Sequence, residues 1–304
     1  MTLIECVPNF SEGRRREVVD EITAAIAAVD GAHVLDVQSD AVHNRSVVTF
    51  VGEARAAAEA AFRGIAVAAR LIDLNVHRGA HPRFGAADVV PFVPLKAAEL
   101  GICVTAASEL AARVGRELEI PVYLYEESAR RPERRNLADV RSGEFEGLRE
   151  TIGTDPGRRP DEGPARIHPT AGAVAIGARP PLIAYNVDLA SDDVDLAKAI
   201  AAEIRERDGG LPKLKAIGLA IDGGVQVSMN LTDYRVTSLT TAFAAVRSRA
   251  AQRGVDVRAS EVVGLVPVEA LAEVARAALQ APRLGAANVL ESRVLDVVME
   301  VRDE

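Results

Sequence analysis

The stretch "VHRGAHPRFGAADVVPFVPL" (76–95) holds the residue types best able to do chemistry in this chain: His77 and His81, four apart, with Arg78 and Arg83 beside them. Two histidines at that spacing would share one face of a helix and could ligate zinc. Gly79 and Pro82 oppose a helix, however, and Arg78 stands where a zinc-protease helix has glutamate, so no metal is expected. On a loop the same imidazoles suit general acid–base work, because they titrate near neutral pH. A histidine in an irregular loop can equally do no more than bond to backbone. That plainer role suits His77 better than His81, and the residues alone leave both roles open for His81.

A second polar set, Asp40, His43, Asn44 and Arg45 in "SDAVHNRSV" (39–47), falls where a hairpin tip is expected, and such tips are normally solvated turns. "GAVAIGAR" (172–179) has the glycine spacing of a phosphate loop but continues Ala-Arg instead of Lys-Ser/Thr, which rejects nucleotide binding there. No Gly-x-Ser-x-Gly elbow and no Gly-x-Gly-x-x-Gly fingerprint occurs, so the familiar hydrolase and dehydrogenase templates are excluded.

The elements that must carry these residues read as a duplication. "LIECVPN" (3–9) is a β run followed by an amphipathic helix over 11–29, with Ser11 as the expected N-cap; "LIAYNVDLASDDVDLAKAIAAEIRER" (182–207) repeats the pattern with Ser191 as cap. An alternating strand and a long helix follow in both halves (44–71 and 225–255), and "ADVVPFVPL" (87–95) parallels "SEVVGLVPV" (260–268). Each half therefore reads β-α-β-β-α-β. Strands are expected near 3–9, 32–37, 45–52 and 87–94, then near 181–188, 214–221, 224–232 and 261–267. The predicted fold is α/β in the α+β sense: duplicated ferredoxin-like units, residues 1–180 and 181–304, with opposed sheets forming a ligand cleft. An extra helix–strand pair over 103–125 is expected to extend the first sheet. Between the halves, residues 132–181 are rich in proline and the stretch 152–181 shows no period, which leaves a functional loop and a plain connector both open.

Composition narrows the function classes. At 304 residues, with 48% hydrophobic and 26% charged residues, the chain has the composition of one large or two mid-sized soluble domains. A net charge of -8 argues against a nucleic-acid partner, and the absence of an apolar run of about 18 residues argues against a membrane span. No signal peptide is evident and the two cysteines, Cys6 and Cys103, are read as free thiols, so the expected compartment is the cytoplasm.

Taken together, "ECVPNFSEG", "NRSVVTFVG", "HRGAHPRFGAADVVPFVP", "PVYLYEESA", "GARPPLIAYNVDL", "QVSMNLTDYRVT" and "VVGLVPVEAL" resemble the glutamate formimidoyltransferase family in collinear order over nearly the whole chain. The resemblance implies transfer of a formimino group from N-formimidoyl-L-glutamate to N5 of tetrahydrofolate as co-substrate, in histidine degradation and one-carbon metabolism. It implies small-molecule substrates and the single-activity form without a cyclodeaminase domain. It places the family's catalytic acid/base on His81. Arg45, Arg78 and Arg83, with Asn9, are the candidates for substrate carboxylates, because guanidinium forks match carboxylate geometry. The family's folate segment falls on Gly163, Pro164, Ala165, Arg166, Ile167, His168, Pro169, Thr170, Ala171 and Gly172.

Two departures from the animal members stand out. Gln38 replaces an acidic residue, which shifts the expected acidic partner of His81 to Asp40, and Ala171 replaces an aromatic that could stack on a pterin. Two other functions are kept beside this one: a related folate reaction such as cyclisation of 5-formyltetrahydrofolate, and a non-enzymatic folate-binding protein. A homodimer is left open.

Overall fold

The computed structural model describes residues 2–79, 82–95 and 98–295. The class is mixed α/β with two sheets, and the chain divides into two compact units, the first ending at Arg179 and the second starting at Pro180.

In the first unit the alternation of "LIEC" makes β1 (Leu3–Cys6), burying Ile4 and Cys6, and after Pro8 the chain rejoins the sheet as β2 (Asn9–Phe10). Helix α1 (Arg16–Ala27), β3 (Ala32–Asp40), β4 (Arg45–Glu53), α2 (Ala54–Leu71) and β5 (Ala87–Pro94) follow. β1 and β2 lie between β4 and β5, antiparallel to both, and β3 pairs with the outer edge of β4. Ser11 does not cap α1. It is buried and donates to the Gly85 carbonyl (2.7 Å), while the Glu12 carboxylate accepts from the N–H groups of Gly13, Arg14 and Arg15 (3.1, 2.9 and 2.9 Å). The Glu12 carboxylate thus orders the turn that leads into α1, while the N-cap position, Arg15, makes no side-chain capping bond.

The 103–125 pair extends the sheet as expected, as α3 (Leu100–Glu117) and β6 (Val122–Glu126), but not next to β5. The proline-rich segment supplies short helices α4 (Leu137–Val140) and α5 (Glu144–Thr151) and then β7 (Val174–Ala178), which inserts between β5 and β6 and runs parallel to both. Within the aperiodic stretch 152–181, β7 is the departure from a structureless loop. A parallel strand buried on both faces has no alternation to detect, and every residue of β7 is buried.

The same segment is pinned to β6 by a buried ion pair. Arg134 and Asp161, with side chains 5% and 4% exposed, meet beneath the Tyr123 ring, which lies 4.9 Å from the guanidinium carbon. Asp161 also accepts from the Leu124 N–H (2.8 Å), and Arg134 donates to the carbonyls of Gly157 and Arg159.

The second unit runs β8 (Ile183–Leu189), α6 (Val194–Ile204), β9 (Leu214–Ile221), β10 (Gly224–Leu231), α7 (Leu239–Ala251), β11 (Val257–Val263) and α8 (Val268–Leu279). Its antiparallel sheet has the order β11-β8-β10-β9. Ile183, Tyr185, Val187 and Leu189 alternate into the core against Val225, Val227, Met229 and Leu231, beneath α6 and α7. Two expectations are corrected here. The last strand is 257–263 rather than 261–267, because Gly264, at φ +81°, ends it and Pro267 starts a helix. The cap of α6 is Asp193, which accepts from the N–H groups of Asp195 and Leu196; Ser191 accepts one turn earlier, from Asp193.

Asp161→Ala should strand the buried Arg134 guanidinium at a cost of about 3–5 kcal/mol, since removing one partner of a buried pair leaves the other charge uncompensated. Arg16→Ala, at the exposed pair with Asp20, should cost ~1 kcal/mol or less. Urea unfolding followed by circular dichroism separates the two; equal midpoints would contradict the pinning role.

Candidate active site

Three loops of the first unit meet at one end of its sheet, and Asn44 ties them together. Residue 44 closes the β3–β4 hairpin in the left-handed region (φ 50°), a conformation that asparagine tolerates better than most residues. Its Oδ1 accepts from the Gly13 N–H (3.0 Å), its Nδ2 donates to the Arg78 carbonyl (2.9 Å), and its own carbonyl accepts from His77 Nε2 (3.0 Å). The tip is solvent-exposed over residues 39–42, as expected of a turn, but Asn44 at its end is buried at 7% exposure. The loops approach so closely that a Cβ on Gly79 would lie 2.2 Å from the His43 carbonyl oxygen, and one on Gly13 2.3 Å from that of Asp40.

His77 is buried in this contact. The bond to the Asn44 carbonyl requires the proton on Nε2, and Nδ1 is left without a hydrogen-bond partner. Burial holds the imidazole below its ordinary pKa, with the charges of Arg83 and Arg14 adding to the effect and the Asn44 bond and Glu12 opposing it. At the hairpin tip, Asp40 accepts from the backbone N–H groups of Val42 and His43 and from His43 Nδ1 (2.6 Å). Partial burial raises the Asp40 carboxyl, but the bonds from His43 outweigh it and hold the group below its usual range.

The return into β5 is built around Asp88, whose side chain has no exposure. Its Oδ2 accepts from Arg45 Nη1 (2.5 Å) and Arg141 Nη2 (2.8 Å), and its Oδ1 from the Phe84 N–H (2.8 Å). Arg45 also donates to Asn9 Oδ1 through Nε (3.2 Å) and Nη2 (2.9 Å), while Asn9 Nδ2 donates to the Val7 carbonyl (2.8 Å). Arg83 forks onto Glu146 of α5 (2.5 and 3.2 Å). Burial raises the Glu146 carboxyl, but Arg83's hydrogen bonds, with the charges of Arg83 and Arg78, hold it below its ordinary value. Arg78 donates to the carbonyls of His77 and Asn75 (2.7 and 3.1 Å).

The 163–172 segment borders the same loops at its far end. The Thr170 carbonyl accepts from the Leu74 N–H (2.9 Å), the Pro169 carbonyl from Asn75 Nδ2 (2.9 Å) and the Ala171 carbonyl from the Ala86 N–H (2.8 Å). His168 shapes the turn: its Nδ1 accepts from the N–H groups of Thr170 and Ala171 (3.3 and 3.0 Å), and burial lowers its pKa. Ala171 packs into the core, so an aromatic side chain on this backbone would meet core residues instead of a solvent-facing ligand. At the near end Gly163 (φ +82°) lies against Gly115 of α3, where a Cβ on either would clash with backbone. Arg166 is exposed and pairs with Glu119 (2.8 Å). Among the described residues, no group of three or more His, Cys, Asp or Glu is placed to hold a metal, and no helix is long and apolar enough to cross a membrane.

Comparison with known proteins decides the family. Residues 3–179 match the N-terminal subdomain of the formiminotransferase domain, and residues 184–300 match the formiminotransferase domain model that follows it. This chain belongs to the formiminotransferase family. It is 50% identical over 298 residues to a glutamate formimidoyltransferase of Thermoplasma acidophilum, covering 97% of this chain and 98% of that one. It is 46% identical over 280 residues to the Streptococcus pyogenes glutamate formimidoyltransferase (91% and 93% covered). Against the Mus musculus formimidoyltransferase-cyclodeaminase it is 41% identical over 281 residues, 90% of this chain but 52% of that protein, so it spans about half the mouse protein's length.

Within this formiminotransferase chain the structure brings Asn9, Asp40, Arg45, Arg78, Arg83 and residues 168–172 into one loop cluster, with 163–166 set against α3. His81 lies outside the described residues. Sequence reasoning missed Asp88, Arg141, Glu146 and Glu12. Asp88 had a signal available, being an acidic residue inside an otherwise apolar strand run, whereas Arg141 and Glu146 sit among many charged residues with nothing to single them out.

His77 should titrate below the ordinary histidine value of about 6.5. Since its folded pKa is depressed, its contribution to stability is full above about 6.5 and declines as pH falls through the folded value, where the unfolded chain binds the proton more readily. His77→Gln, which can still donate to the Asn44 carbonyl, should therefore lose less stability than the parent protein between pH 7.5 and 5.5. An imidazole resonance for His77 titrating at or above 6.5 would refute this.

Proposed function

We propose that this chain transfers the formimino group of N-formimidoyl-L-glutamate to N5 of tetrahydrofolate. The observation that carries the proposal is 50% identity along 97% of the chain to a glutamate formimidoyltransferase. In the reaction N5 attacks the amidine carbon, the bond from that carbon to the glutamate nitrogen breaks, and the proton lost by N5 ends on the departing amine. A single acid/base can carry that proton, and His81 is the proposed carrier. Asp40, held ionised by His43, is the proposed acidic group supporting it.

Arg83, Arg78 and Arg45, with Asn9 bracing Arg45, are proposed to bind the carboxylates of the donor and of the folate tail. What supports this is their convergence on one loop cluster. Residues 163–172 are the proposed folate segment; its bonds to Leu74, Asn75 and Ala86 put its end against the loop that leads to His81. We read the scaffold as duplicated ferredoxin-like units over 1–180 and 181–304. This reading rests on the shared β-α-β-β-α-β order, with β3-β4-β1-β5 matching β9-β10-β8-β11 in strand order.

The purified protein, given tetrahydrofolate and formiminoglutamate, should form 5-formiminotetrahydrofolate. His81→Ala should remain folded and lose about 100- to 10,000-fold in turnover, the range for a general acid/base, while still binding folate. Near-normal turnover in the variant would remove His81 from its role. Failure of the parent protein to form product, with conversion of 5-formyltetrahydrofolate and ATP instead, would replace the proposed reaction by cyclisation.

A further inference from the structure

Arg141 follows α4 in the proline-rich segment, 59 residues from Pro82 in sequence, yet its Nη2 donates both to the Pro82 carbonyl (2.7 Å) and to Asp88 Oδ2 (2.8 Å). Pro82 directly follows His81 in the chain. The next two residues are held as well: the Arg83 carbonyl accepts from the Phe145 N–H (2.9 Å) at the start of α5, and the Phe84 N–H donates to Asp88 Oδ1 (2.8 Å). Three successive backbone positions are thus fixed by groups that α4, α5 and the head of β5 supply.

We propose that Arg141 is a positioning residue for formimino transfer, holding the backbone immediately after His81 through the Pro82 carbonyl and the Asp88 carboxylate. This inference rests on His81 being the proton carrier.

The geometry separates this role from simple structural support. Removing Asp88 would leave Arg45 and Arg141 facing each other in a poorly hydrated site. Removing Arg141 leaves Asp88 still bonded to Arg45 Nη1 and to the Phe84 N–H, so the buried carboxylate keeps a cation. What is lost is the donor to Pro82 and the link between that carbonyl and Asp88. Loosening the backbone beside a reacting group lowers the rate of chemistry more than it lowers binding. Both bonds leave one nitrogen, Nη2, and a lysine ammonium ends one bond short of that position on a flexible stem, so it reproduces them only in part.

The test uses the full chain with Arg141→Met and Arg141→Lys. Arg141→Met should fold, with kcat for formimino transfer down about 10- to 100-fold and KM for both substrates within about twofold of the parent. Arg141→Lys should fall between. Independently of turnover, hydrogen exchange at the Phe84 and Phe145 amides should quicken about tenfold or more in Arg141→Met, while amides in the second unit stay unchanged. A kcat within about twofold of the parent, or unaltered exchange at both amides, overturns the proposal. If Arg141→Met does not fold, Arg141→Lys decides by the same criteria. A parent protein without transferase activity would refute the reaction and not the clamp, which the exchange measurement tests alone.

Discussion

The loop cluster depends on a carboxylate that water does not reach. Asp88 has no side-chain exposure, and a charge in that position is tolerable only with cationic partners and N–H donors aimed at it. It recruits them from three places: Arg45 at the start of β4, Arg141 after α4, and the Phe84 N–H just before β5. The hairpin, the histidine loop and the proline-rich segment therefore cannot be placed independently of one another. Asn44 does the same for the other side of the loop, with an amide instead of a charge, joining Gly13, His77 and Arg78. Residues 77–78 and 82–84 are held by two separate sets of bonds.

The arginines show how a charged cluster is kept in order. Arg83 faces Glu146 in a bidentate pair, and Arg45 faces Asp88, so each cation has a defined orientation through an internal carboxylate. In the proposed role, a carboxylate-bearing substrate would meet guanidinium groups already locked in direction, so less ordering entropy would be lost at binding. Arg83 lies 5.9 Å from the Phe145 ring and Arg149 5.3 Å from it, so α5 contributes packing as well as charge.

Much of the architecture was legible in the sequence, for identifiable reasons. Strands 32–37, 45–52 and 87–94 announced themselves by apolar runs between turn residues, and the repeat fixed the element order of the second half. Much of what the sequence does not show has a long-range signal, although Asp88 and the end of β11 carry local ones. β7 carries no alternation because both its faces are buried, and its register is set by β5 and β6. The strand expected at 261–267 was drawn four residues late because the "GLVPV" run imitates a strand that Gly264 interrupts. In the site, Asn44 looked like an ordinary polar tip residue, and its burial arises from loops at residues 13 and 78 that no local pattern announces. Arg141 and Glu146 are ordinary surface residue types whose significance lies wholly in partners about sixty positions away.

The placement of β7 bears on how the protein is made. On the ribosome β5 and β6 emerge first, and the strand that belongs between them is finished only when residue 178 has been added. Until then, among the described residues, β6 has no sheet partner, and Val122, Leu124 and the two tyrosines flanking Leu124 lack the neighbours that cover them in the finished fold. Exposed strand edges of this kind are where nascent chains associate wrongly. While residues 127–173 are being synthesised, the edges of β5 and β6 that β7 will cover remain open to wrong partners.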